Sequence, residues 1–88
     1  MNIEVDYMKF LIRKLGSAGD TCVAVSELEL EGHLHRELGR GYSAALRTGE
    51  ASRFVGGDPG RVMAAVRGEV ARGAGELEVL LIPKVEGG

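Results

Sequence analysis

Tryptophan is missing from this chain, cysteine occurs once, and proline, Phe and Tyr occur twice each. The single Cys22 leaves nothing for an intrachain disulfide or a multi-cysteine zinc site, a composition that suits a reducing compartment. With so few aromatics, the core has to be assembled from Leu, Val, Ile, Met and Ala. No apolar run approaches the roughly 20 residues that cross a bilayer. The opening "MNIEVDY" is acidic and alternating, unlike a secretory signal. A cytoplasmic location and no membrane contact are the expectation. Net charge is −2, with acids and bases interspersed, so no basic stripe offers an electrostatic footprint for nucleic acid. No Gly-rich loop ending in Lys is present, so the chain is expected to bind no ATP and no other cofactor itself.

What is present is an ordinary soluble composition on a small scale. Eighty-eight residues make one domain, and a chain of that size buries only about 60–65% of its unfolded surface. Apolar residues at 44% and charged residues at 27% exclude wholesale disorder. Glycine is in excess at 14 residues, mostly after Gly32, which predicts a second half rich in turns.

Hydrophobic periodicity sketches the elements. "NIEVDYM" alternates, with Ile3, Val5 and Tyr7 on one face, and reads as a strand. "KFLIRKLG" either prolongs it or makes a helical turn, and "GSAGD" is a loop. "TCVAV" is β-branched and predicts a second strand. "SELELEG" alternates like a strand, and Gly32 would cost a helix about 1 kcal/mol against Ala, yet Ser26 followed by Glu29 makes a capping box, and Leu30, Leu34 and Leu38 form one helical stripe. A helix is therefore expected to begin between Ser26 and His33 and to end near Gly39–Gly41, with "YSAALR" as a further helical turn. "TGEASRFVGGDPG" reads as a loop closed by a Pro-Gly turn. "RVMAAV" reads as a third strand, with turns at Gly68 and Gly73–Gly75. "LEVLLI" is apolar on both faces near its end, which places it inside a sheet. The resulting order, β-β-α-β-β, predicts an α+β fold: a β-grasp with a mixed four- to five-stranded sheet, one main covering helix, and first and last strands parallel at its centre. A ferredoxin-like fold is the rival. Residues 1–83 form the domain and 84–88 a flexible tail.

Several residues look chemical and have simpler readings. Cys22, in a strand between Thr21 and Val23, is expected to act as a small buried hydrophobe. His33 and His35, two apart on a helix, point to different faces and make a poor metal pair; no metal site is expected. Glu27, Glu29 and Glu31 read as a solvated face, and "GGDPG", without a Lys or a following helix, as a plain turn. Phe54, Val55, Val62 and Met63 either form an apolar docking patch or complete the core.

The ending "IPKVEGG" is the most pointed feature. Pro83 stops a strand, and Gly87 and Gly88 follow. A carboxylate is ionised at neutral pH and a poor electrophile. It reacts only after gaining a leaving group, for instance by attack on the α-phosphate of ATP to form an acyl-adenylate. A sulfur nucleophile can then displace AMP and leave a thiocarboxylate. Two glycines without Cβ atoms suit a thread that enters another protein's active site.

"ELEVLLIPKVEGG" resembles the C-terminus of the ubiquitin-like sulfur carriers of the MoaD/ThiS family, most closely the small subunit of molybdopterin synthase. "IEVDYMKFLIRKLG" is similar to that family's first strand with its aromatic–Leu–Leu–Gly spacing. "VMAAVRGEVA" resembles its third strand, Gly-containing turn and following Gly-Glu-Val. The matches cover residues 1–16 and 62–88. Lys84 departs from the family pattern, where a second Pro or a small residue is usual.

The resemblance implies a carrier, not an independent catalyst. Gly88 would carry the reacting carboxylate and Gly87 the slim thread. Pro83, Val85 and Glu86 would line a partner's channel, with Phe54 and Val62 on the docking surface. Implied partners are an E1-like adenylating enzyme that uses ATP and Mg²⁺, a persulfide sulfur donor and a molybdopterin synthase large subunit. The alternatives are a carrier for thiamine, cysteine or tRNA thiolation, and a non-catalytic interaction domain whose Gly-Gly is incidental.

Overall fold

A computed structural model describes residues 10–16, 19–49, 51–73 and 76–83. The elements run β1 (Phe10–Lys14), β2 (Thr21–Val25), α1 (Glu27–Gly39), β3 (Ser43–Thr48), β4 (Ala51–Gly56), α2 (Pro59–Ala71) and β5 (Leu77–Ile82). The fold is α+β, with one mixed five-stranded sheet in the order β2-β1-β5-β3-β4. β5 lies at its centre, parallel to β1 and antiparallel to β3, while β2 and β4 form the edges through antiparallel hairpins.

Each boundary has a local cause. Ser26 caps α1: its Oγ accepts from the Glu29 N–H at 3.3 Å, and its own N–H donates to Glu29 Oε1 at 2.9 Å. This reciprocal box satisfies two otherwise orphaned donors at the helix start. The helix ends where Gly41 takes a φ of 105°, a value that favours glycine. α2 starts on Asp58, whose Oδ1 accepts from the Gly60 N–H at 3.1 Å, with proline in the first turn. Pro there forgoes only an N–H that has no partner inside the helix. The β3–β4 hairpin closes after Thr48, which pairs with Ala51, and Gly49 supplies a φ of 60°, the left-handed value that tight hairpins require.

Both helices lie on one face of the sheet. The buried stripe Leu30, Leu34, Leu38 of α1 and Val62, Met63, Val66 of α2 cover Phe10 and Ile12 of β1, Leu77, Val79 and Leu81 of β5, and Ala44 and Leu46 of β3. Among the described residues this is a core of aliphatic side chains around one aromatic, Phe10.

Several expectations are corrected here. "YSAALR" is not a helical extension but β3, a central strand with Ala44, Ala45 and Leu46 all buried. Ala-rich sequence favours helix, but pairing on both sides decides otherwise. The segment read as a loop contains β4, and the Pro-Gly turn is the first turn of a helix. "RVMAAV" is not a strand: it lies in α2, and so does Gly68. The "VMAAVRGEVA" match to a strand and glycine turn therefore fails structurally. Among the described residues there are two helices and five strands, where one main helix and four to five strands were expected. Phe10–Lys14 is strand, as one of its two readings allowed, whereas the alternating segment 2–7 lies outside the described residues.

Candidate functional site: the open sheet face and the end of β5

The sheet's second face has no helix over it among the described residues. Alternation turns Leu11 and Arg13 of β1, Glu78, Leu80 and Ile82 of β5, and Ala45 and Arg47 of β3 toward it, and the register places Phe54 of β4 opposite Ala45. Phe54 is 65% exposed, a large apolar side chain left in water. It sits beside a register shift between Ala44 and Ala45, and such bulges re-aim neighbouring side chains.

Charge on this face is concentrated at Glu78. Arg13 Nε donates to Glu78 Oε2 at 2.7 Å, and Arg47 Nη1 lies 3.8 Å from Oε1. The hydrogen bond and negative charge of Glu78 push the Arg13 guanidinium above its ordinary pKa, so it stays charged at any physiological pH. A shallow depression of about 300 Å³ lies here, with Leu11, Arg13, Arg47, Glu76 and Glu78 in its walls. Its two arginines are matched by two glutamates, so it has no net charge to select an anion.

The end of β5 is fixed on both sides. Lys14 is the register partner of Leu81, the Leu15 N–H donates to the Leu81 carbonyl at 3.0 Å, and Ser43 is the partner of Ile82. Pro83 follows, exposed. Behind this point α1 finishes on a buried carboxylate, Glu37, surrounded by cations. Lys14 Nζ is 3.2 Å from Oε1, Arg40 Nη1 3.8 Å from the same oxygen, and Arg36 Nε 3.7 Å from Oε2. Oε1 is buried without an aligned hydrogen bond, so the contact with Lys14 is an ion pair by proximity. Lys14 Nζ also stands 5.0 Å from the centroid of the Tyr42 ring, within cation–π range.

The residues expected to be functional are scattered among different settings. Lys84, Val85, Glu86, Gly87 and Gly88 lie outside the described residues. Pro83 and Phe54 are exposed. Val62 is 0% exposed and Met63 is equally interior, so both complete the core, and Val62 cannot form part of a docking surface in this fold. Val55 is half-buried and packs against the same core.

Cys22 also departs from expectation. It is exposed and unpaired, because β2 is an edge strand whose Thr21–Ala24 stretch lies outside the helix cover. His33 Nδ1 lies 3.1 Å from Arg36 Nη2, and no group of three potential metal ligands occurs among the described residues. Of Glu27, Glu29 and Glu31 on α1, Glu29 closes the capping box. Glu27 and Glu31 both meet Arg67 of α2, at 3.1 and 3.9 Å. No described helix is long and apolar enough to cross a membrane.

Sequence reasoning missed Glu37 and its cations. The available signal was a charge within an apolar stripe: Glu37 stands three residues after Leu34 and next to Leu38, on the face that α1 buries. Comparison with protein-family models, with curated proteins and with solved structures gives no match for this chain.

Proposed function

We propose that this protein is a ubiquitin-like sulfur carrier of β-grasp fold, acting as the small subunit of a molybdopterin synthase. The observation that supports this reading best is topological. The order β2-β1-β5-β3-β4, with β1 and β5 parallel at the centre and a helix crossing between the two hairpins, is compatible with a β-grasp. That arrangement ends the central strand at the sheet's margin on Ile82 and Pro83. The five residues that follow in sequence, Lys84 to Gly88, are long enough to reach about 15 Å when extended. A thread of that reach can pass from a docked globule into a partner's active site.

The chemistry belongs to Gly88 and to partners. An E1-like enzyme with ATP and Mg²⁺ lets the Gly88 carboxylate oxygen attack the α-phosphorus, with pyrophosphate leaving. The outer sulfur of a persulfide donor then attacks the acyl carbon with AMP leaving, and a second thiol cleaves the resulting acyl disulfide, which releases the thiocarboxylate and leaves the donor and that thiol joined as a disulfide. Gly87 keeps the thread narrow. The exposed Phe54, with Leu80 and Ile82 on the same open face, gives the globule an apolar surface on which to seat.

Intact-protein mass spectrometry tests this reading. The purified native protein, first weighed to verify that it ends at Gly88, is incubated with ATP, candidate E1-like enzymes and a persulfide donor. The expected result is the mass change of one oxygen exchanged for sulfur, mapped to a peptide ending in Gly88 and absent when Gly88 is deleted. Transfer of that sulfur to a pterin precursor in the presence of a large synthase subunit assigns the pathway. An unchanged mass with every candidate enzyme, beside a control carrier that shifts, rejects the proposal.

A further inference from the structure

We infer that the cations around Glu37 form a basic collar at the root of the tail, and that it seats on a carboxylate-lined rim around the channel of the adenylating enzyme. The inference rests on the carrier reading for the identity of the partner and on geometry for the surface. Lys14, Arg36 and Arg40 converge on a single carboxylate within 3.2–3.8 Å. Their formal surplus of two positive charges stands out on a chain whose net charge is −2. Because Lys14 pairs with Leu81 and Tyr42 precedes the partner of Ile82, the collar is fixed beside the residue at which β5 ends.

The collar is not consumed by its internal contacts. Glu37 is buried and draws Lys14 closest, whereas the side chains of Arg36 and Arg40 are 54% and 62% exposed and meet Glu37 only at 3.7 and 3.8 Å. A guanidinium carries five N–H donors in a planar fork that matches carboxylates. Arg36 also directs Nη2 to His33 Nδ1 at 3.1 Å, and both guanidinium-bearing side chains still stand more than half exposed. Part of this charge complements the carbonyl end of α1, but that role needs neither two arginines nor a lysine delivered from another element. A carboxylate rim is the surface such donors fit, and rim charges act mainly by steering association.

The test compares three double variants as substrates of an E1-like enzyme that adenylates the wild-type protein, with pyrophosphate release measured from about 0.02 to 0.5 M salt. For Arg36→Gln with Arg40→Gln, KM should rise about tenfold at the lowest salt, kcat should hold, and the difference should close as screening sets in. Arg36→Lys with Arg40→Lys keeps the charge and should restore most of the loss, which separates a charge effect from disturbed folding. Arg67→Gln with Arg72→Gln removes equal charge at the opposite end of the helices and should leave KM unchanged. Equal KM values for the wild-type and the Arg36/Arg40 glutamine variant, an equal rise for the Arg67/Arg72 variant, or no rescue by lysine overturns the collar and leaves the carrier reading intact. If no such enzyme adenylates the wild-type protein, the carrier reading falls and the collar falls with it.

Discussion

The central strand β5 shows its two faces to different environments. Leu77, Val79 and Leu81 are sealed beneath two helices, whereas Glu78, Leu80 and Ile82 stand half-buried on a face that neither helix covers. The backbone pairing is common to both, so the contrast comes from side chains alone. On the covered face, aliphatic residues meet aliphatic residues and hold the fold. On the open face, an ion network around Glu78 and an unshielded Phe54 add little to stability and stay available for contact. Residues that build the core and residues left open to solvent thus alternate along one strand.

Substitutions can break or sharpen this contrast. Leu34→Ala strips a fully buried side chain from the covered face and should cost about 2–5 kcal/mol in urea unfolding. Ser26→Ala disables the capping box of the covering helix and should cost about 1 kcal/mol. The same box carries a pH signature. The Ser26 backbone N–H, and then its hydroxyl, hold the Glu29 carboxyl below the usual glutamate range. Its contribution is therefore fully present above the unfolded value of about 4.3 and is lost as pH falls through the lower folded value. The drop in stability between pH 5 and 3 should be shallower in Glu29→Gln than in the wild type. Gly68→Ala should stabilise by about 0.5–1 kcal/mol, since a Cβ there meets nothing within 4 Å and Ala favours helix. Phe54→Ser, on the open face, should move stability within about 0.5 kcal/mol, while under the proposed carrier function KM for an adenylating enzyme should rise. A large loss of stability from Phe54→Ser would dissolve the contrast between the faces.

How legible each region was depended on how local its signal is. α1 could be read because Ser26, Glu29 and the Leu stripe all lie within a few residues of one another. β5 could be read because only an interior strand is apolar on both faces. α2 could not, although Asp58 and Pro59 form a helix start and Val62 and Val66 repeat at helical spacing. Gly60 and Gly68 argued for turns, and the apolar run "VMAAV" imitated a strand. β3 and β4 were obscured for opposite reasons. The alanines of β3 favour helix until two neighbours pair with them, and β4 is an edge strand with too few apolar residues to announce itself. Glu37 showed how a candidate site hides. Its cations come from β1 and from α1, and only tertiary structure brings Lys14 within 3.2 Å of it.

The position of β5 bears on the order in which the protein can be made. The two hairpins, β1–β2 and β3–β4, are complete well before Leu77 leaves the ribosome, but nothing joins them into one sheet until β5 slots between β1 and β3. Until then each nascent hairpin carries an unzipped inner edge and a bare aliphatic face, which are the surfaces through which partly made chains stick to one another. Synthesis of β5 is therefore also the step that joins the sheet, and a chain interrupted before Leu77 would be left with two hairpins and no strand to bridge them.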